Sequence, residues 1–114
     1  MSDCIFCKIA AKQIPTQVVY EDTDVLAFKD INPKAPTHLL VIPKKHIEKL
    51  SDLQPADAEL GGKMLLAVGK IAEHIGIKDA GFRVVINNGK FAGQEVFHLH
   101  FHVLGGKQMS WNPA

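Results

Sequence analysis

Cysteine, tyrosine and tryptophan are scarce in this sequence of 114 residues, which has two cysteines, one tyrosine and one tryptophan. Two cysteines are too few for a disulfide scaffold, so the run Cys4-Ile5-Phe6-Cys7 reads as a reduced pair or a metal pair. Excess charge of either sign is also missing. Thirteen basic and twelve acidic side chains leave a net charge of +1, which excludes the broad electrostatic footprint of a protein that binds duplex nucleic acid or an anionic membrane. No apolar run approaches the roughly 20 residues of a membrane span. The N-terminus lacks the basic-then-apolar layout of a secretory signal, so a cytoplasmic location is expected. Repeats, low-complexity tracts and linkers are absent, and the length suits one domain over residues 1–114.

Histidine is present and concentrated. Three of the six histidines fall within His98-Leu99-His100-Phe101-His102-Val103-Leu104. In an extended chain alternate side chains share a face, so His98, His100 and His102 line one side over roughly 13 Å while Leu99, Phe101 and Val103 fill the other. Imidazoles titrate near neutrality and serve as nucleophiles, acids, bases and hydrogen-bond donors. Three in phase beside a glycine-containing turn point to a chemical site.

Around this segment the pattern predicts an α+β fold with strands grouped against one long helix. A short helix is expected over Cys4 to Ala11, ended near Ile14-Pro15. Strands are expected at Val18–Tyr20 and Val25–Phe28, joined by a polar turn, and at Thr37–Pro43, whose apolar content suits a central position. From Pro55 to Gly76, Leu60, Met64, Val68, Ile71 and Ile75 recur at helical spacing, with Pro55 suited to the first turn and Gly76 to the stop. Further strands are expected at Phe82–Ile86 and Val96–Leu104.

Two loops form candidate walls beside the histidines. Gly89 and Gly93, in the loop Asn87–Glu95, permit a backbone that turns several N–H groups toward an anion. Asp30, in the turn Asp30–Thr37 that leads to His38, either accepts hydrogen bonds from vicinal sugar hydroxyls or simply forms the turn. Lys44, Lys45 and His46 read as a solvated edge and His74 as a surface residue of the long helix.

The run His98 to Leu104, with Ile5-Phe6, Phe28-Lys29-Asp30-Ile31, Ala35-Pro36-Thr37-His38, Ala92-Gly93-Gln94 and the ending Gly105 to Trp111, resembles the histidine triad superfamily, and specifically its nucleotide-binding Hint branch. That resemblance implies an antiparallel sheet of about five strands with one long and one short helix per subunit, two sheets joining in a homodimer. It implies hydrolysis of purine nucleoside phosphoramidates, releasing AMP or GMP and an amine, with no cofactor required for catalysis. His100 is then the nucleophile and His102 holds a phosphate oxygen or the bridging atom. His98 and His38 form a hydrogen-bonded relay. Asp30 binds the ribose, Ile5, Phe6, Phe28 and Ile31 sandwich the purine, and Asn87, Gly93, Gln94, Glu95 and Val96 line the phosphate side. Trp111 reaches the neighbouring subunit's site. Glu95 stands where animal members carry serine and is expected to turn outward, leaving only its backbone N–H for the ligand.

Relatives with Cys-x-x-Cys near the N-terminus imply a structural zinc on Cys4, Cys7, His38 and His98. Two other functions fit the same resemblance. One is a nucleotide-binding module with incidental hydrolysis, and the other is a dinucleoside polyphosphate hydrolase.

Overall fold

A computed structural model describes residues 3–114. Five strands form one antiparallel sheet in the order β1-β2-β3-β5-β4, with β1 at Val18–Glu21, β2 at Val25–Lys29, β3 at Thr37–Pro43, β4 at Phe82–Val85 and β5 at Phe101–Gly105. The α+β expectation holds: one long helix, α2 (Ala58–Ile75), and one short helix, α1 (Ile5–Ala10), accompany the sheet. Among the described residues no helix is long and apolar enough to cross a membrane.

The apolar strand Thr37–Pro43 is central, as its composition predicts, and pairs with β2 on one side and β5 on the other. Alternation sorts its side chains: Leu39 and Val41 face α2, where Met64, Ala67, Val68 and Ile71 cover them. Leu40 and Ile42 face the other way and meet Phe6, Ile9, Leu26 and Phe28. Leu99, Phe101 and Val103 join the α2 side, which leaves the histidines for the side covered by α1. The sheet therefore separates a core covered by α2 from a face that carries the histidines beneath α1.

Local sequence sets the ends of α2. A 3-10 turn at Pro55–Asp57 precedes it, with Pro55 at the first position and the Gln54 and Asp57 side chains exchanging bonds with backbone N–H groups. Gly76 closes the helix in the left-handed conformation, φ 83°.

One expected boundary is corrected. The last strand begins at Phe101 rather than Val96, because pairing with β3 stops at Val41 opposite Phe101. Upstream, Leu99 donates its N–H to the Ile47 carbonyl at 2.6 Å, and the His98 ring bonds to the Pro43 carbonyl. Those irregular bonds replace the ladder, so His98 and His100 precede the regular strand that carries His102.

Candidate active site

Four segments converge on the histidine face: α1, the β2–β3 turn, the chain just after β3, and the run from Asn87 into β5. Phe6 stands edge-on to His100 at 5.1 Å between ring centroids, to His98 at 6.0 Å and to Phe28 at 5.5 Å. Phe6 and Phe28 are buried, whereas Ile5 is 46% and Ile31 91% exposed. Two of the four residues expected around a purine thus form a fixed floor, and the other two present apolar surface to solvent.

Hydrogen bonds fix the imidazole tautomers one after another. His100 donates its Nδ1–H to the His98 carbonyl at 2.7 Å, which leaves Nε2 with a lone pair. Among the described residues no fully enclosed side-chain nitrogen or oxygen lacks a partner, so this Nε2, which has none among those residues, opens to solvent. His38 accepts the Lys34 N–H on Nδ1 at 3.0 Å and therefore carries its proton on Nε2. That proton is donated to Nδ1 of His102 at 2.9 Å, with an Asp30 carboxylate oxygen 3.4 Å from the same Nε2. His102 is left as an Nε2–H donor, its ring 5.0 Å from that of His100. Burial, with the nearby His100 and His38 rings, pushes the His102 imidazole down to about 4, and burial also lowers His38. A ring with an open nitrogen lone pair and a ring with an N–H to donate stand side by side.

His98 is engaged differently from the expectation. Its Nε2–H bonds to the Pro43 carbonyl at 2.8 Å, which turns the Nδ1 lone pair toward the cysteines. Nδ1 of His98 lies 3.3 Å from Cys4 Sγ, 3.5 Å from Cys7 Sγ and 3.2 Å from Nδ1 of His46, and Cys7 Sγ lies 3.2 Å from that same His46 nitrogen. The four donor atoms all fall within 4.8 Å of one another. A tetrahedral zinc with two thiolates and two imidazoles separates its ligands by roughly 3.3 to 3.8 Å, so this donor set fits the ion.

Two expectations are corrected here. The fourth member of the cysteine cluster is His46 and not His38, and the partner of His38 in the relay is His102 and not His98. Strand register explains both. His38 sits opposite Leu104 and Leu40 opposite His102, so in antiparallel pairing His38 reaches His102 diagonally and lies at the far end from His98. The end of β3 near His98 leads instead into Lys44-Lys45-His46. His46 is exposed overall, yet its Nδ1 turns inward to the cysteines.

The loop beyond β4 is built on Gln94. Its buried amide accepts the Gly89 N–H at 2.7 Å and donates to the carbonyls of Glu48 at 2.8 Å and Val96 at 3.0 Å. The side chain expected on the phosphate side is therefore occupied in holding the loop, and its backbone N–H is likewise donated, to the Gly89 carbonyl at 3.1 Å. Gly89 and Gly93 take positive φ, 88° and 84°, around a 3-10 turn at Lys90–Ala92. Glu95 is exposed, as expected, and Val96 packs at the edge of the Phe6 and Phe28 cluster.

A model of the HIT domain matches residues 11–109. The chain belongs to the HIT domain family. It is 57% identical to Protein HitA of Neisseria gonorrhoeae over 105 residues, covering 92% of this chain and 97% of that protein. Among solved structures it is similar to a HIT family hydrolase from Legionella pneumophila Philadelphia 1, with 50% identity and a TM-score of 0.95 over 97% of this chain and 99% of that one. A histidine triad protein from Clostridium difficile shares 48% identity and a TM-score of 0.94, with 96% of each chain covered.

Trp111 stands apart from the histidines of its own HIT domain. It is 82% exposed, with the Arg83 guanidinium 5.8 Å from its ring centroid, and Arg83 also donates to the Ser110 carbonyl at 3.0 Å. The tail is thus pinned against β4. Asn87, half-buried, lies two residues beyond the end of β4, and its neighbour Asn88 ties the loop to the segment after β3 by accepting the Ser51 N–H at 2.8 Å. His74 is exposed on α2, as expected. His46 is the one member of the site that sequence reasoning missed, since its lysine neighbours mark a solvated edge.

Proposed function

We propose that this HIT protein is a hydrolase that cleaves the P–N bond of purine nucleoside phosphoramidates, with His100 as nucleophile. The observation that carries this reading is the 2.7 Å bond from His100 Nδ1–H to the His98 carbonyl, which leaves the outer nitrogen unprotonated and open. Attack of Nε2 on phosphorus forms an N–P bond, and the nitrogen–phosphorus bond of the substrate breaks as the leaving nitrogen takes a proton from water. The nucleotidyl-imidazole carries positive charge, which the His98 carbonyl oxygen stabilises through the same hydrogen bond. His102 holds a phosphate oxygen with its Nε2–H, and the backbone N–H groups of Glu95 and Val96 serve the other oxygens, those of Gly93 and Gln94 being donated to the Lys90 and Gly89 carbonyls. A second water then attacks phosphorus, its proton passing to the hydroxide left by the first, and the N–P bond to His100 breaks, releasing the nucleoside monophosphate and the imidazole.

Binding follows from the same face. Phe6 and Phe28 form the floor under a purine, Ile5 and Ile31 its sides, and Asp30 takes the ribose hydroxyls through carboxylate lone pairs not used by the Asn32 N–H, which bonds to Oδ1 at 2.7 Å. The reading includes a structural zinc on Cys4, Cys7, His46 and His98, which when bound closes a four-ligand site and supplies folding energy rather than a reacting group. It also includes a homodimer, for which the edge strand β4 offers backbone hydrogen-bonding groups and the exposed Leu65 and Leu66 of α2 offer apolar surface.

The test is release of a fluorescent amine from an adenosine phosphoramidate by wild type and His100→Ala side by side. Release that disappears in the variant supports the nucleophile and the reaction class together. Wild type that binds AMP without releasing amine would overturn hydrolysis in favour of a binding module.

A further inference from the structure

The cysteine cluster and the proposed nucleotide site are joined at two places, α1 and His98. Helix α1 has six residues, Ile5–Ala10, which is too short to be helical by its own propensity. Cys4 caps it by accepting the Cys7 N–H on Sγ at 3.3 Å, and the two sulfurs tie it to His98 and His46. Between those cysteines the chain carries Ile5 and Phe6, the exposed and buried parts of the base wall. On the other side, His98 offers its ring to the cluster and its carbonyl to His100.

In the absence of an ion, one lone pair on His98 Nδ1 faces two thiols and a second imidazole. One lone pair cannot serve all three, so the cluster is not fully paired by the protein alone. A divalent cation satisfies all four donors at once.

We infer that Cys4, Cys7 and His46 are positioning residues for nucleotide binding: a metal bound by them and His98 latches α1 against the histidine segment, placing Phe6 beneath the base and fixing the His98 carbonyl that orients His100. This rests on the proposed nucleotide reading. Its consequence is a site whose affinity for nucleotide depends on metal load, although none of the three residues touches the nucleotide.

The experiment uses the full chain loaded with zinc, stripped by a chelator, and reloaded, alongside His46→Ala, which removes the most exposed ligand without changing α1. His74→Ala, on the exposed face of α2, is the control. Metal content is measured directly, hydrogen exchange reads the amides of residues 5–10, and calorimetric titration reads AMP affinity. The latch predicts that stripping and His46→Ala both speed exchange in α1 and weaken AMP binding about tenfold, the scale of losing one aromatic contact to a base. Reloading wild type with zinc restores both, and His74→Ala changes neither. AMP affinity within twofold of the loaded protein after the metal is gone would overturn the inference, as would a loaded protein that retains no zinc. If AMP binds neither form, the nucleotide reading has failed, and faster exchange in α1 on stripping still supports the latch while unchanged exchange refutes it.

Discussion

His38 donates its Nε2–H to Nδ1 of His102 across 2.9 Å, although the two residues stand 64 positions apart in the chain. The Lys34 backbone N–H behind His38 and the Asp30 carboxylate beside it complete the arrangement. The β2–β3 turn thereby decides which nitrogen of His102 bears a proton. In the proposed reading, the turn that contributes a ribose ligand thus also sets the state of a phosphate ligand.

Asp30→Asn separates the two roles of that turn. Asparagine retains an oxygen for the Asn32 N–H but loses the charge and part of the capacity to accept sugar hydroxyls. Affinity for AMP should fall at least about tenfold, the scale of one hydrogen bond to a charged group, while affinity for an analogue lacking both ribose hydroxyls should change little. Calorimetric titration with the two ligands checks this, and equal losses for both would remove Asp30 from ribose binding.

The depressed His102 imidazole makes stability depend on pH. Burial, with His100, His38 and Lys34 nearby and Asp30 opposing, holds the folded group down to about 4, whereas an unfolded histidine titrates near 6.5. Between those values the unfolded chain binds a proton that the folded chain does not. The contribution is therefore complete above about pH 6.5 and is lost as pH falls toward 4. The ring is about half screened by solvent, so a loss of about 1–2 kcal/mol between pH 7 and 4.5 is expected. Urea unfolding across that range should show the decline, and His102→Asn should make it shallower.

Gln94 predicts a loss of stability without any change in charge. Replacing it with alanine strands the Gly89 N–H and the carbonyls of Glu48 and Val96. The cost should be about 2–3 kcal/mol, as for other buried partners left unmatched. Thermal unfolding should shift down by several degrees, whereas Glu95→Ala, on the exposed neighbour, should leave it within about 0.5 kcal/mol.

Much of this was legible in the chain. β3 announced itself by an unbroken apolar run, α2 by its period and its Pro55 and Gly76 boundaries, and the histidine face by strict alternation. His46 was not legible, because its role depends on which end of β3 lies beside His98. Register decides that, and register is a relation between strands rather than a pattern within one. The same information moved His38 from the cysteines to His102. The resemblance places Gln94 among the residues that line a phosphate; only the paths of the Glu48 and Gly89 backbones show that its amide is already used.

Trp111 yields a prediction about assembly. Its ring lies over Arg83 and remains 82% exposed, so in a single chain it has no route to influence His100 through contact. In the proposed homodimer its effect on turnover would come from the partner's site, and breaking the dimer should remove the same effect. Leu66→Glu places a charge on surface that is already 68% exposed in one chain, so the fold should tolerate it while an apolar interface would not. Sedimentation should then report monomer, and kcat/KM should fall about tenfold, to the level reached by Trp111→Ala. The double variant should be no slower than the slower single, because two substitutions that remove one interaction do not add. Additive losses, or a wild-type protein that sediments as a monomer, would place the tail's function within its own chain.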